Sequence, residues 1–194
     1  MSPGEFERWY HTLWVSNPDS DNYLQVDIWK YLMGGQSGAY TEASLVRDGA
    51  RRADPTAHID ASATVRAFTG KGSPDDISHT LYLALLAKKV KADSTALQQY
   101  ANTWLGVDCT GFASAYLVFE GKLNAPVHHL PTFFSRKARL RMAVEDVQQG
   151  DLVIWWDVRA GHEAKPAGSS VGHAVLIDSN YQNGLFDTVE SAGF

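Results

Sequence analysis

The chain holds a single cysteine in 194 residues. An internal disulfide is excluded, so cysteine usage says nothing about redox compartment. With no second cysteine and no spaced partner, the adjacent pair His128-His129 makes a poor metal site, since neighbours on a strand point opposite ways. No metal and no cofactor are expected. Positive charge is scarce: 17 Lys and Arg stand against 22 Asp and Glu, for a net charge of −5. That balance argues against a general nucleic-acid binder, which needs a basic stripe to meet phosphates. The densest basic stretch, Arg136, Lys137, Arg139 and Arg141, alternates with apolar residues and reads as a solvated face.

Long apolar runs are missing as well. No window approaches the roughly 18 apolar residues of a membrane span. Met1 to Trp9 carries Glu5 and Glu7 where a signal peptide would have its apolar core. There is no internal repeat and no low-complexity segment. What remains, 44% hydrophobic and 20% charged residues, describes an ordinary globular chain. Its length suffices for one well-buried domain, with room for a small helical appendage.

Periodicity separates two halves. In the first, Phe6, Trp9, Tyr10, Leu13 and Trp14 share a helical face up to Asn17-Pro18-Asp19, and Leu24, Ile28, Tyr31 and Leu32 repeat the spacing up to Gly34-Gly35. A short helix is expected around Thr41–Arg51, then an irregular stretch from Asp54-Pro55 to Gly70, Gly72 and Pro74. Ser73-Pro74-Asp75-Asp76 supplies an N-cap, a proline at the first helical position and acids in the first turn. Another helix starts at Ser94 and ends at Gly106.

After residue 145 the pattern turns to strands. Leu152–Trp156 follows the turn Gln149-Gly150-Asp151, His173–Asp178 forms a second strand, and Leu185–Ser191 a third after the turn Asn180–Gly184. The Gly- and Ser-containing stretch Asp157–Gly172 reads as a long loop suited to substrate contacts. Helices first and a strand meander afterwards predict an α+β fold, with a helix packed on a mostly antiparallel sheet. Three strands make a thin sheet with an open edge. Either the N-terminal half adds a strand or the chain is a fragment, and a fragment is the expectation.

The cysteine lies in Asp108-Cys109-Thr110-Gly111-Phe112, where a helix begins. Asp108 suits an N-cap, and Phe112, Ala115, Tyr116 and Phe119 recur at helical spacing before Gly121. A thiol in a first helical turn faces unsatisfied N–H groups and the positive end of the macrodipole, which favour thiolate. Gly111 allows close approach of chain or substrate. Further on, Gly172-His173-Ala174-Val175 heads an apolar strand whose alternation puts His173, Val175 and Ile177 on one face. A nucleophile at a helix start and a base on a later strand are the parts of a cysteine hydrolase.

Three blocks in order resemble the NlpC family of bacterial cell-wall cysteine peptidases, over roughly residues 95 to 194. Asp108-Cys109-Thr110-Gly111-Phe112 is similar to that family's Asp-Cys-Ser-Gly-Phe nucleophile motif. Gln149-Gly150-Asp151-Leu152-Val153 is similar to its Gly-Asp-Leu strand entry, and Gly172-His173-Ala174-Val175 to its Gly-His-Val strand. The resemblance implies a papain-like fold and cleavage of amide bonds in peptidoglycan stem peptides or related amides. It implies Cys109 as nucleophile and His173 as base, with a third polar residue on the following strand. Glu190 is the best-placed match, with Ser191 and Asp187 as alternatives. It also suggests a secreted or cell-envelope protein, although no signal peptide is visible. The family's Pro-Tyr and Trp-Gly-Gly before the cysteine are replaced here by Tyr100-Ala101-Asn102-Thr103-Trp104-Leu105-Gly106.

Around that pair the expectations are looser. Tyr100 is a candidate second oxyanion donor beside the Cys109 backbone N–H. Asp108 suits capping better than chemistry. His162, in the long loop, and one face of Trp156 are candidates to touch substrate. Residues 1–75 form a helical region of unknown role that offers a surface for a protein partner, and residues 76–194 the hydrolase domain. Competing readings keep the same cysteine and histidine in a papain-like acyltransferase or a secreted toxin or effector domain, or retain the fold as a non-catalytic binding module.

Overall fold

The computed structural model describes residues 1–32, 35–129, 141–156 and 171–191, apart from the side chains of Trp155, Trp156 and Val171. The described residues form an α+β fold of six α-helices and two small antiparallel sheets. None of these helices is long and apolar enough to cross a membrane. Two compact units emerge, one from Met1–Glu7 with Cys109–Ser191, the other from Arg8–Asp108. Residues 76–108, grouped by sequence with the hydrolase domain, thus fold with residues 8–75.

The Arg8–Asp108 unit corrects the helical reading of its first third. Helix α1 (Pro3–Tyr10) stops at Tyr10, and β1 (Leu13–Ser16) pairs antiparallel with β2 (Tyr23–Val26), Leu13 opposite Val26 and Val15 opposite Leu24. The period is two here, not 3.6. Leu13 and Val15 are buried while Trp14 and Ser16 face out, and the polar run Asn17–Asn22 forms the hairpin loop.

Four further helices belong to this unit. In α2 (Ala39–Ala53) the buried Ala39, Ala43, Val46 and Ala50 line one face. Helix α3 (Ala61–Phe68) occupies part of the stretch expected to be irregular. Asp60 caps it, accepting from the backbone N–H of Ser62 at 2.8 Å and Ala63 at 2.9 Å. Helix α4 (Pro74–Leu86) starts with a capping box between Ser73 and Asp76, with Pro74 in the first turn as the sequence requires. Helix α5 (Ser94–Trp104) is capped by Asp93. Phe68, Ile77, Leu81, Leu85, Leu97 and Leu105 fill the core between them.

The other unit is built on α6 (Cys109–Phe119), whose residues Cys109 to Leu117 are all buried. Phe6 packs on Phe112, Tyr116 and Phe119, with ring centroids 5.4–6.2 Å apart. The sheet is a meander of β3 (Leu152–Trp156), β4 (Val171–Ile177) and β5 (Thr188–Val189), and α6 packs against β4. Strand β5 is far shorter than the expected Leu185–Ser191, because Leu185 is used up in closing the turn with Gln182. Asn183 and Gly184, both at positive φ, form that turn.

Candidate functional site

Cys109 opens α6 and is 5% exposed. The three residues before it run along a rail of backbone contacts. Val107 N–H donates to the Lys30 carbonyl at 3.0 Å, Tyr31 bridges Val107 in parallel, and Asp108 N–H donates to the Gly70 carbonyl at 2.8 Å. A side chain at Gly106 would overlap the Lys30 carbonyl, so the close approach demands glycine. Gly70, at φ +76°, is held more strictly, because a Cβ there would overlap the Leu32 carbonyl oxygen. The Asp108 carboxylate, almost wholly buried, forms an ion pair with Lys71.

The loop behind the rail is itself anchored. Lys71 N–H donates to the Arg66 carbonyl at 2.8 Å, and the buried Tyr10 hydroxyl donates to the Gly72 carbonyl at 3.1 Å. Burial, with the charges of Asp76, Asp75 and Asp108, raises the Tyr10 phenol well above its ordinary range, so it stays a donor at any physiological pH.

His173 lies on β4, the strand that carries α6. It pairs opposite Trp155, and the register then slips so that Trp156 faces Val171, leaving Gly172 as the extra residue of a bulge. Such a bulge re-aims the side chains beside it. Nε2 of His173 is hydrogen-bonded to the Glu190 carboxylate. An ionised carboxylate only accepts, so Nε2 carries the hydrogen and the basic lone pair of the neutral ring lies on Nδ1. The β4–β5 register explains the meeting. Leu176 pairs with Val189, which projects Glu190 opposite Val175 and makes it the same-face diagonal neighbour of His173. His173 and Glu190 are 27% and 41% exposed, against the buried thiol.

Tyr100 is in the Arg8–Asp108 unit, and its buried hydroxyl donates to Glu42 at 2.9 Å. Burial and that carboxylate raise its pKa far above the phenol range. Lys89, on the exposed side, approaches the other Glu42 oxygen at 3.0 Å, completing a polar cluster between helices α2 and α5 and the end of α4. Asp187 is exposed and its backbone N–H donates to Ser179 Oγ at 2.8 Å. His162 and the side chain of Trp156 lie outside the described residues. Among those residues no group of three or more His, Cys, Asp or Glu converges as a metal site. Lys71 is the residue that sequence reasoning misses, since Gly70 and Gly72 on either side mark only the end of an irregular stretch. No family model, no curated protein and no solved structure matches this chain.

Proposed function

We propose that this chain is a cysteine hydrolase of papain-like fold that cleaves amide bonds in peptidoglycan stem peptides or similar amides. The observation that carries the reading is the Glu190 carboxylate on His173 Nε2, on a strand packed against the helix that Cys109 begins. A histidine bonded to a carboxylate, on a strand packed against the helix that bears a lone cysteine, supplies the parts that nucleophilic catalysis uses. The NlpC-like blocks around Cys109, Gly150-Asp151 and His173 lend it the substrate class.

In this reading His173 Nδ1 takes the Cys109 proton, and Glu190 stabilises the imidazolium that forms. The thiolate adds to the carbonyl carbon, and the Cys109 backbone N–H, at the start of α6, donates to the oxyanion. Collapse breaks the C–N bond, with the imidazolium proton going to the leaving amine. The resulting thioester is attacked by water, whose proton returns to His173, and the free carboxylic acid departs as the thiol is restored. If an amine or alcohol replaces that water, the same steps give acyl transfer.

Incubation of the protein with purified muropeptides, with mass spectrometry of the products, tests this directly. The reading requires new amine and carboxylate termini that vanish in Cys109→Ala. Products carrying an added amine acceptor would shift the assignment to an acyltransferase. Intact substrates across muropeptides and simple peptide amides would remove the hydrolase reading.

A further inference from the structure

We propose that the outward face of the β1–β2 hairpin is a binding site for a neutral oligosaccharide; this stands on the Arg8–Asp108 unit alone and does not need the hydrolase reading. Strand alternation sends Leu13, Val15 and Val26 into the core and Trp14, Ser16, Tyr23 and Gln25 outward. Trp14 is 59% exposed and Tyr23 64%. Trp14 stands opposite Gln25, so Tyr23, two residues earlier on β2, is its diagonal neighbour on the same face. Two large aromatic side chains thus share one exposed face, and aromatic patches of this kind mark binding surfaces. The backbone beneath them is held: the Trp14 carbonyl accepts from Ser78 Oγ of α4 at 2.7 Å, and the buried Leu13 and Val15 anchor the strand.

At its Tyr23 end this face meets an open depression of about 500 Å³, lined by Ser16, Asn17, Asp19, Ser20, Asp21 and Tyr23. The loop that shapes it is tied to itself. The Asn17 backbone N–H donates to the Asn22 carbonyl at 3.0 Å, and that of Asp19 to Asn17 Oδ1 at 2.9 Å. Lys88, just past α4, meets both Asp19 carboxylate oxygens at 2.7 Å. A preformed site loses little affinity to ordering. The lining selects the ligand. A sugar ring presents C–H bonds that suit the negative face of an aromatic ring, and hydroxyls that donate to carboxylates and pair with hydroxyls and amides. Two carboxylates against one lysine disfavour phosphates and anionic lipids. A protein partner needs roughly 800 Å² a side, more than two side chains of about 150–250 Å² each can offer. A quaternary ammonium favours rings gathered around one point, whereas these two are spread diagonally across the strand pair.

The test is isothermal titration calorimetry of the full chain with cellotetraose, maltotetraose and chitotetraose, beside tetramethylammonium, with the thermal midpoint of each variant. At least one tetrasaccharide is expected to bind. Trp14→Ala and Tyr23→Ala should each weaken that binding about tenfold or more, and Tyr23→Phe should keep it within about threefold. All three variants should melt near the wild type, because both side chains are exposed. Trp29→Ala, at an exposed tryptophan outside the hairpin, should bind like the wild type. Failure of all three tetrasaccharides to bind overturns the inference. Saccharide binding that both alanine variants leave unchanged overturns it too, since the sugar would then sit elsewhere on the chain. Binding of tetramethylammonium alone makes the face a cation site and overturns it equally. Either alanine variant decides if the other fails to fold. Muropeptide cleavage is not a readout here, so this inference and the hydrolase reading fail separately.

Discussion

Gly106–Asp108 runs between two loops, tied by backbone hydrogen bonds to Lys30 and Gly70 and by a buried ion pair to Lys71. Glu190, in contrast, follows a strand of two residues, is 41% exposed and meets His173 through a side-chain hydrogen bond. The nucleophile's side is thus fixed by the backbone and the core, the base's side by a side chain near the surface. The lesson is that the two halves of the proposed pair should fail differently. Damage to the rail should reach folding, whereas damage at Glu190 should reach chemistry alone.

The largest effect is expected at Gly70. Its left-handed φ and the overlap of any Cβ with the Leu32 carbonyl make Gly70→Ala cost about 3 kcal/mol or more, read as a drop in urea or thermal midpoint. A stable Gly70→Ala protein would break the claim that the rail is rigid. Next comes Glu190→Gln, which should lower amide hydrolysis by about tenfold or more while leaving the melting temperature where it was, since the site is open to solvent. A melting point that fell with the activity would show Glu190 to be a structural residue.

Tyr100→Phe sharpens the comparison from the other side. It strips Glu42 of a buried donor at 2.9 Å and should cost about 1–3 kcal/mol in stability with no change in Cys109 alkylation. A slower alkylation at full stability would return Tyr100 to the oxyanion site. The smallest effect concerns pH. Burial and the neighbouring His58 lower the His79 pKa below its ordinary 6.5, with ring centroids 5.8 Å apart. The unfolded chain therefore takes up the proton first, so stability is present above about pH 6.5 and declines below it until the folded histidine protonates. Denaturation curves across that window should show the decline, and His79→Gln should flatten it.

Local chemistry makes part of this legible in the sequence. The Ser73-Pro74-Asp75-Asp76 run announces α4, and Leu152–Trp156, apolar along its whole length, is β3. The start of α6 at Cys109 follows from its periodicity and from Gly121 at φ +68° beyond its end. The β1–β2 hairpin is hidden because Phe6, Tyr10, Leu13 and Trp14 keep helical spacing by chance across the turn at His11-Thr12. Helix α3 is hidden by its shortness and by Asp54-Pro55 ahead of it; the Asp60 cap is its one local signal. Lys71 has no local signal at all, since its partner lies 37 positions along the chain. Glu190 is within reach because strand register is periodic: the residue just past β5 becomes a diagonal neighbour of His173.

The most direct test of the Cys109–His173 pair is the pH profile of Cys109 alkylation by iodoacetamide, from about pH 5 to about pH 9, in wild type and His173→Ala. The account predicts that the wild type still reacts on the acid side of neutrality, where a free thiol is nearly silent, and that His173→Ala loses that acid limb. Superimposable profiles for the two proteins would contradict it, and the cysteine would then be a buried structural residue of α6.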